Sequence, residues 1–408
     1  MSNIIIIGGG PAGIMAAIKA SENHRVTLIE QNEKLGKKLY ITGKGRCNVT
    51  NNADIGSFFD NIPKNPHFLY SAFYSFTNED VKNFFESSGV KLKVERGERV
   101  FPCSDKSSDI IKALETKLRE KHVNVLLNSR VSEMIIRDSK VLGIKMSSGE
   151  ILKADSFIIA TGGASYPQTG STGDGYIFAK KCNHNVVDAV PSLIPMVCSE
   201  EWIDSLQGIS LKNVTLTLKQ NGKILFQDFG EMLFTHYGIS GPIVLSGSAR
   251  IPLSTVKKGL NAYIDLKPAL SYDELDLRIQ RDFKKFINKD FKNSLNELLP
   301  SKLIDRVIYL TGIPEDKKIN SITKEERKKL VEILKGFPLT IVNYRPIAEA
   351  IITSGGVDTK EIDPSTMKSK FMDNLYFAGE ILDTHGYTGG FNLQIAFSTG
   401  FLAGEKVK

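Results

Sequence analysis

The chain has no C-x-x-C pair, no long apolar run and no block of like charge. Its four cysteines, Cys47, Cys103, Cys182 and Cys198, are scattered over 408 residues. That spread argues against a zinc site, an iron–sulfur site and a thioredoxin-type or glutathione-reductase-type dithiol. It favours reduced thiols in a cytosolic protein. No run approaches the roughly 20 apolar residues of a membrane span. The first strand begins almost at the N-terminus, which leaves no room for a signal peptide and gives an expectation of a cytoplasmic protein. Net charge is +7, with 24% charged and 41% hydrophobic residues, an ordinary globular composition. Such a charge suits acidic ligands, but without a Lys/Arg block it argues only weakly for nucleic acid. No internal repeat is evident, and only one G-x-G-x-x-G occurs.

That one motif organises the chain. Asn3 to Ile7 is a short apolar run, followed by Gly8, Gly9, Gly10, Pro11, Ala12 and Gly13. Ile14 to Asn23 reads as a helix and Val26 to Glu30 as a second strand ending in a carboxylate. Strand, tight turn, helix, strand is the context that gives the motif meaning. Gly8 permits the turn, Gly10 lets backbone approach a pyrophosphate, and Gly13 allows close helix–strand packing. The diphosphate is expected at the helix N-terminus, where free amides and the dipole favour negative charge. Glu30, placed to accept both ribose hydroxyls, disfavours a 2′-phosphate, so the expected ligand is FAD or NAD rather than NADP.

After Glu30, a Gly- and Lys-rich stretch contains Lys38 and then Thr42, Gly43, Lys44, Gly45, Arg46, Cys47 and Asn48. It reads as a loop able to wrap an anion with backbone amides. Residues 66–90 read as helical, 91–101 as a hairpin, 108–121 as an amphipathic helix and 131–146 as a hairpin or meander. A buried strand, 156–160, runs into Thr161-Gly162-Gly163. Character changes near Pro191. Asn221-Gly222 marks a hairpin within 209–235, and 272–335 is polar and helical. A strand, a Gly-rich turn and a buried helix return at Leu375–Ala403. The expected organisation is a discontinuous FAD-binding domain, 1–190 and 345–408, with an inserted domain at 191–344. The insertion reads as β-rich at 191–270 and 336–344, with a helical subdomain at 271–335.

Together these residues resemble the two-dinucleotide-fold FAD flavoproteins, on the first Gly motif with Glu30, Ala160-Thr161-Gly162-Gly163, and Ala378-Gly379-Glu380. The run from Ala160 through Thr172-Gly173-Asp174-Gly175 is similar to fumarate reductase and aspartate oxidase flavoproteins. A narrower match is to bacterial BaiN-like or aminoacetone-oxidase-like NAD(P)/FAD-dependent oxidoreductases. It is carried by Thr42–Asn51, Val100–Ser104, Gly230–Pro242 and Thr388–Gln394. The resemblance implies an α/β fold, a Rossmann-like FAD-binding domain with an inserted β-barrel-like region carrying a helical subdomain.

By the same resemblance, the Thr42–Asn48 loop lies along the pyrophosphate and isoalloxazine, and Val131 pairs its backbone with adenine. Gly379 and Glu380 meet the ribityl and phosphate region. Gly390, Phe391, Asn392 and Leu393 place amides at the flavin N1–C2 edge, where reduction puts negative charge that a helix N-terminus stabilises. His385 and Tyr387, beside this turn, are the candidate proton donors, with His236 and Tyr237 in the insertion as others. Cys47 reads as a packing or flavin-contact residue, although Lys44 and Arg46 beside it would lower a thiol pKa. The expected cofactor is non-covalent FAD, with NAD(P)H binding transiently and without a Rossmann unit of its own. The leading function is an FAD-dependent oxidoreductase acting on a small organic molecule, either an enone-type reductase or an amine oxidase. An RNA-modifying flavoprotein and a non-catalytic flavin sensor are the alternatives. No metal and no membrane are expected, and the sequence does not indicate an oligomeric state.

Overall fold

The computed structural model describes all 408 residues. The chain divides into two units, Met1–Ser192 with Pro346–Lys408, and Leu193–Arg345.

The first unit is built on a five-stranded parallel sheet. Its order is Leu375–Phe377, Ser156–Ile159, Asn3–Ile7, Arg25–Ile29, Asn124–Leu126. The central strand is buried from Ile4 to Ile7, as expected for a parallel sheet covered on both faces. The helix Pro11–Ala20 follows it, with Pro11 in the first turn where a missing N–H does no harm. Eight of its ten residues are buried, so it is a core helix rather than an amphipathic surface one. The C-terminal helix Phe391–Lys406 is apolar on most sides and packs against it. A Cβ on Gly400 would stand 2.2 Å from Ala12 O, and one on Gly404 would stand 2.4 Å from Ala16 O. Two helix backbones therefore touch where only glycine fits.

The segment 66–90 is not one helix. Tyr70–Ser75 ends at Phe76, and Asn78–Ser87 restarts behind a capping box made by Thr77 and Asp80. Phe73, Phe76 and Phe85 enter the core, while Phe84 is half-buried. In the hairpin Val131–Arg137 with Lys140–Met146, the turn falls at Asp138 and Ser139. An antiparallel ribbon, Val186–Ser192 with Ile352–Val357, flanks the point where the second unit interrupts the first.

The second unit is a closed six-stranded barrel. Its order is Met196–Cys198, Gly238–Ser240, Lys223–Thr235, Ser210–Gln220, Leu260–Asp265 and Phe337–Tyr344, closing back on Met196–Cys198. Alternate residues point inward along each long strand: Val214, Leu216 and Leu218, then Leu260, Ala262 and Ile264. Asn221 and Gly222 both take positive φ, which closes the long hairpin tightly. Two short strands and the helix Pro242–Arg250 lie in a region that reads as β-rich in sequence. Gly247 lets that helix approach Leu218 and Phe226. The helical subdomain comprises Tyr272–Lys285, Phe291–Ser294, Ser301–Thr311 and Lys324–Lys335, two of these opened by capping boxes at Ser271 and Thr323.

Replacing Gly400 or Gly404 by Ala is expected to destabilise the protein by about 1–3 kcal/mol. Alanine's better helix propensity offsets part of the overpacking, so a net loss reads out the backbone contact. Chemical denaturation midpoints check this, and an unchanged or raised midpoint would show that the two helices can separate freely.

Candidate cofactor site

A cavity of about 1350 Å³, counted with its open mouth, lies at the C-terminal ends of the parallel strands, lined there by Ile7, Ile29 and Ala160. Ligands of open α/β sheets bind at that edge. The Gly8–Gly13 turn forms its floor. Gly8 N donates to Ile29 O at 2.8 Å, and a Cβ on Gly8 would meet Ala160 O at 2.4 Å. Gly13 faces inward, where a Cβ would overlap Gly8 O at 1.9 Å. Gly10 is different: a Cβ there would meet nothing within 4 Å. Open space beside the first amides of a helix is the shape a diphosphate requires.

Glu30 is buried, and its carboxylate is held by the chain itself. Oε2 accepts from Gly9 N at 2.8 Å, and Oε1 accepts from Asn32 N at 2.8 Å and Asn32 Nδ2 at 2.7 Å. Charge-assisted bonds of this kind are strong and fix the acceptor's direction. Further along the cavity, Glu380 is gripped by donors remote in sequence. Lys38 Nζ lies 2.9 Å from Oε2, while Ser165 Oγ and Thr353 N donate to Oε1 at 3.2 and 2.9 Å. Gly163 packs against this knot, since a Cβ would meet Thr353 Oγ1 at 2.5 Å. Thr161 Oγ1 is buried without a hydrogen-bond partner and belongs to a lining residue. A buried orphan hydroxyl costs about 1–3 kcal/mol unless a ligand or water satisfies it.

The loop after Glu30 divides. Lys38 and Thr42 line the cavity, whereas Gly43, Gly45, Arg46, Cys47 and Asn48 are not among its lining residues. Arg46 stacks over Phe101 at 4.1 Å and pairs with Glu95 at 2.9 Å and Asp105 at 3.3 Å. Cys47 is wholly buried beside Thr42, and burial pushes its thiol up to about 12. The neighbouring cations do not activate it, so it acts as a packing residue. Asn48 Oδ1 is buried and unpartnered.

The C-terminal turn is tied together locally. Asn392 Oδ1 accepts from Gly386 N, and its Nδ2 donates to Gly386 O, both at 2.8 Å. Gly390 has φ +101°, and a Cβ there would strike Thr50 O at 2.3 Å. Asn392 and Leu393, in the first turn of the C-terminal helix, line the cavity; Gly379, Gly390 and Phe391 are not among its lining residues. His385 is buried with neither ring nitrogen partnered, and it does not line the cavity. Burial, with help from the Lys64 charge, holds its pKa down at about 4, against a small opposing pull from Glu380. Tyr387 is half-buried and its N–H donates to Asn61 O at 2.9 Å.

Several lining residues carry no motif. Arg130 and Asp174 form a two-bond ion pair, Nε to Oδ2 at 3.0 Å and Nη2 to Oδ1 at 3.1 Å, at the cavity edge near Val131. Gly170, Ser171 and Thr172 supply one wall, and Ile351 and Ile352 another. Only the Thr172-Gly173-Asp174-Gly175 run marks the first wall in sequence; nothing marks the isoleucines. The residues present therefore fit a dinucleotide. They offer an open glycine beside a helix N-terminus, a fixed carboxylate one strand away, and a second helix N-terminus along the same cavity.

Residues 2–406 match the model of the HI0933-like protein Rossmann domain. A 3-dehydro-bile acid delta(4,6)-reductase of Clostridium scindens is 32% identical over 99% of this chain and 98% of its own. A ribosomal RNA dihydrouridine synthase of Haemophilus influenzae is 33% identical over 98% of this chain and 97% of its own. Among solved structures, a 3-ketosteroid delta1-dehydrogenase from Sterolibacterium denitrificans superposes with a TM-score of 0.52. It has 13% identity and covers 99% of this chain and 98% of that one. At that identity the likeness concerns the fold alone.

His385 gives the site a pH signature. It stays neutral in the native protein down to about pH 4, while in the unfolded chain it titrates near 6.5. Its contribution to stability is therefore complete above about pH 6.5, falls as pH drops toward 4, and is constant below. The loss should be on the order of 3 kcal/mol. Denaturation midpoints measured across that window should fall less steeply in His385→Gln than in the parent. Parallel curves would mean that His385 is not held neutral.

Proposed function

From the membership of this chain in the HI0933-like Rossmann-domain family, we propose that it is an FAD-dependent oxidoreductase that reduces a carbon–carbon double bond conjugated to a carbonyl. The observation that carries this reading is the agreement of two relatives, each aligned over nearly the whole chain. The bile acid enzyme's name places its double bonds beside a 3-oxo group, and the dihydrouridine enzyme's name describes saturation of a uracil ring. Both are additions of hydrogen across an electron-poor C=C, the enone-type alternative among the small-molecule reactions considered above.

The chain's own residues are suited to the task. The first amides of the helix Pro11–Ala20, beside the open Gly10, would hold the diphosphate, and Glu30, pre-oriented by Gly9 and Asn32, would hold the adenosine ribose. Lys38, Ser165 and Thr353 fix Glu380 for the ribityl chain. The first turn of Phe391–Lys406 directs its amides and dipole toward the cavity's other end, where they favour an electron-rich group. When bound, the flavin supplies the hydride chemistry, and the protein supplies position and field. His385, buried and neutral, serves the turn as a packing group; Tyr387 also lies outside the cavity lining but is half-buried, nearer to solvent, and remains the candidate donor.

The acceptor has a second reading, uracil within ribosomal RNA, and charge favours it. Residues 193–345 hold 23 Lys and Arg against 18 Asp and Glu, whereas the rest of the chain holds 30 against 28. Most of the positive surplus thus sits in the inserted unit.

The purified protein should carry about one FAD per chain, released by acid precipitation. Photoreduced anaerobically, it should be reoxidised by a conjugated 3-oxo steroid or by a uridine-containing ribosomal RNA transcript, and not by the saturated ketone. The product should gain two hydrogens by mass. Reoxidation by none of these, or equally by the saturated ketone, would remove the enone reading.

The electron donor gives another test. No second glycine-rich strand–turn–helix unit accompanies the first, so nicotinamide binding is expected to be weak. Anaerobic stopped-flow mixing with NADH or NADPH should show slow reduction that rises with concentration without saturating. Fast, tightly saturating reduction by either would reveal a dedicated nicotinamide site.

A further inference from the structure

Three adjoining strands of the barrel share long stretches without carboxylates. Between Ser205 and Gln227, and again between Met232 and Ile264, the sequence has no Asp or Glu. These stretches are neighbours in space. The strand Ser210–Gln220 pairs with Lys223–Thr235 on one side and Leu260–Asp265 on the other. At the tip, Gln220 Nε2 donates to Thr255 O and to Gly259 O, both at 2.9 Å. That bond clamps the hairpin turn to the loop carrying Lys257 and Lys258. Lys223 stands opposite Gln220, and Lys219 stands opposite Asn261. Four lysines therefore share one rim, and none of them forms an ion pair. Lys223, Lys257 and Lys258 are exposed, and Lys219 lies over the Tyr263 ring at 5.3 Å. Elsewhere in the same unit lysines are interspersed with acids, and several are paired with them: Lys317 with Glu326, Lys318 with Asp290 and Lys335 with Asp265, each at 2.6 Å. Asp265, the acid that ends the second stretch, is the partner in the last of these pairs.

We propose that this rim is a docking surface for the phosphate backbone of RNA. It rests on the RNA reading of the acceptor for the identity of the polyanion, and on the charge distribution for its place. Unpaired lysines clustered without acids lower the free energy of a polyanion by releasing its condensed counterions. A rigid hairpin clamped by Gln220 holds them in register at little entropic cost. Lysine, a point charge on a flexible stem, suits backbone contact rather than base readout. The rim would therefore bind RNA with little regard to its base sequence.

The test uses the full-length flavoprotein and a fluorescein-labelled RNA hairpin with a uridine-rich loop, with affinity measured by anisotropy across a salt series. In the triple variant Lys223→Gln, Lys257→Gln, Lys258→Gln, affinity at low salt should fall at least about tenfold, and the slope of log K against log salt should shrink by roughly 2. A control triple, Lys91→Gln, Lys112→Gln, Lys153→Gln, removes the same charge from exposed positions of the other unit and should leave the slope nearly unchanged. Both variants should retain FAD and be reoxidised by the conjugated steroid as the parent is. An equal loss in the two triples, no RNA binding by the parent, or preferential binding of the parent to phosphatidylserine vesicles would each overturn the proposal. RNA bound through the rim without reduction of its uridines would leave the docking surface standing and remove uracil as the acceptor.

Discussion

The cofactor site depends on one contact between two helix backbones. Gly400 and Gly404 of the C-terminal helix lie against Ala12 and Ala16 of the first helix, with no side chain between them. The pairing of 400 with 12 and 404 with 16 runs the two helices in the same direction at the crossing. Both N-termini therefore point to the same side, toward the cavity. Phe391 begins nine residues before Gly400, about 13 Å along its own axis at 1.5 Å per residue. The first helix begins one residue before its crossing point, at Pro11. The two amide-rich ends are thus staggered along one cavity rather than superimposed. A ligand with two electron-rich regions well apart, a diphosphate and a reducible ring, matches that stagger.

Within the cavity, both carboxylates are restrained before any ligand arrives. Glu30 is fixed by donors from its immediate neighbourhood, Gly9 and Asn32. Glu380 is fixed by Lys38, Ser165 and Thr353, drawn from three distant parts of the chain. Buried charges survive only with such partners, and the partners make the site preorganised: binding need not freeze these side chains. The knot at Glu380 also fastens the first loop to the C-terminal turn, so this end of the cavity is assembled by the fold rather than by a ligand. His385, in contrast, has no partner for either nitrogen. It is tolerated because it is neutral, which is why a histidine beside a glycine-rich turn is poor evidence of acid–base chemistry.

What the sequence discloses follows the range of the interactions involved. The strand–glycine–helix unit and Glu30 lie within 30 consecutive residues, and each glycine has a local reason, so position and role are legible together. The hairpin at Asn221-Gly222 is legible for the same reason. The helix Pro242–Arg250 was obscured by Ser246, Gly247 and Ser248, which weaken its propensity, although Gly241-Pro242 is a start signal. The break at Phe76 had its signal in Thr77 and Asp80, hidden by the apolar periodicity around it. The strands Met196–Cys198 and Gly238–Ser240 are three residues each, too short for any period to appear. Arg46 and Cys47 sit in a conspicuous motif, yet the first is spent on Glu95, Asp105 and Phe101 and the second on packing. The Lys38–Glu380 pair spans 342 positions and the Ala164–Thr353 bond 189. No local pattern can reveal these.

The ribbon from which the insertion departs is itself part of the cavity wall. The last residue of the first segment, Ser192, pairs across the ribbon with Ile352, and Ile352 lines the cavity. Thr353, the next residue along, donates its N–H to Glu380 and accepts from Ala164. Three consecutive positions, 351 to 353, therefore do different work at the base of the ribbon: two form a cavity wall and one fixes the Glu380 carboxylate. A strand has period two, so adjacent residues face opposite ways. A one-residue slip in this ribbon would exchange those roles and dismantle the knot at Glu380. The register is pinned instead by the glycines Gly355 and Gly356, whose positive φ angles let backbone pass within contact of Asp188 O and Ile381 O. A long insertion can thus be carried at this point without loosening the site, because the strands that lead to it are locked where they touch the cavity.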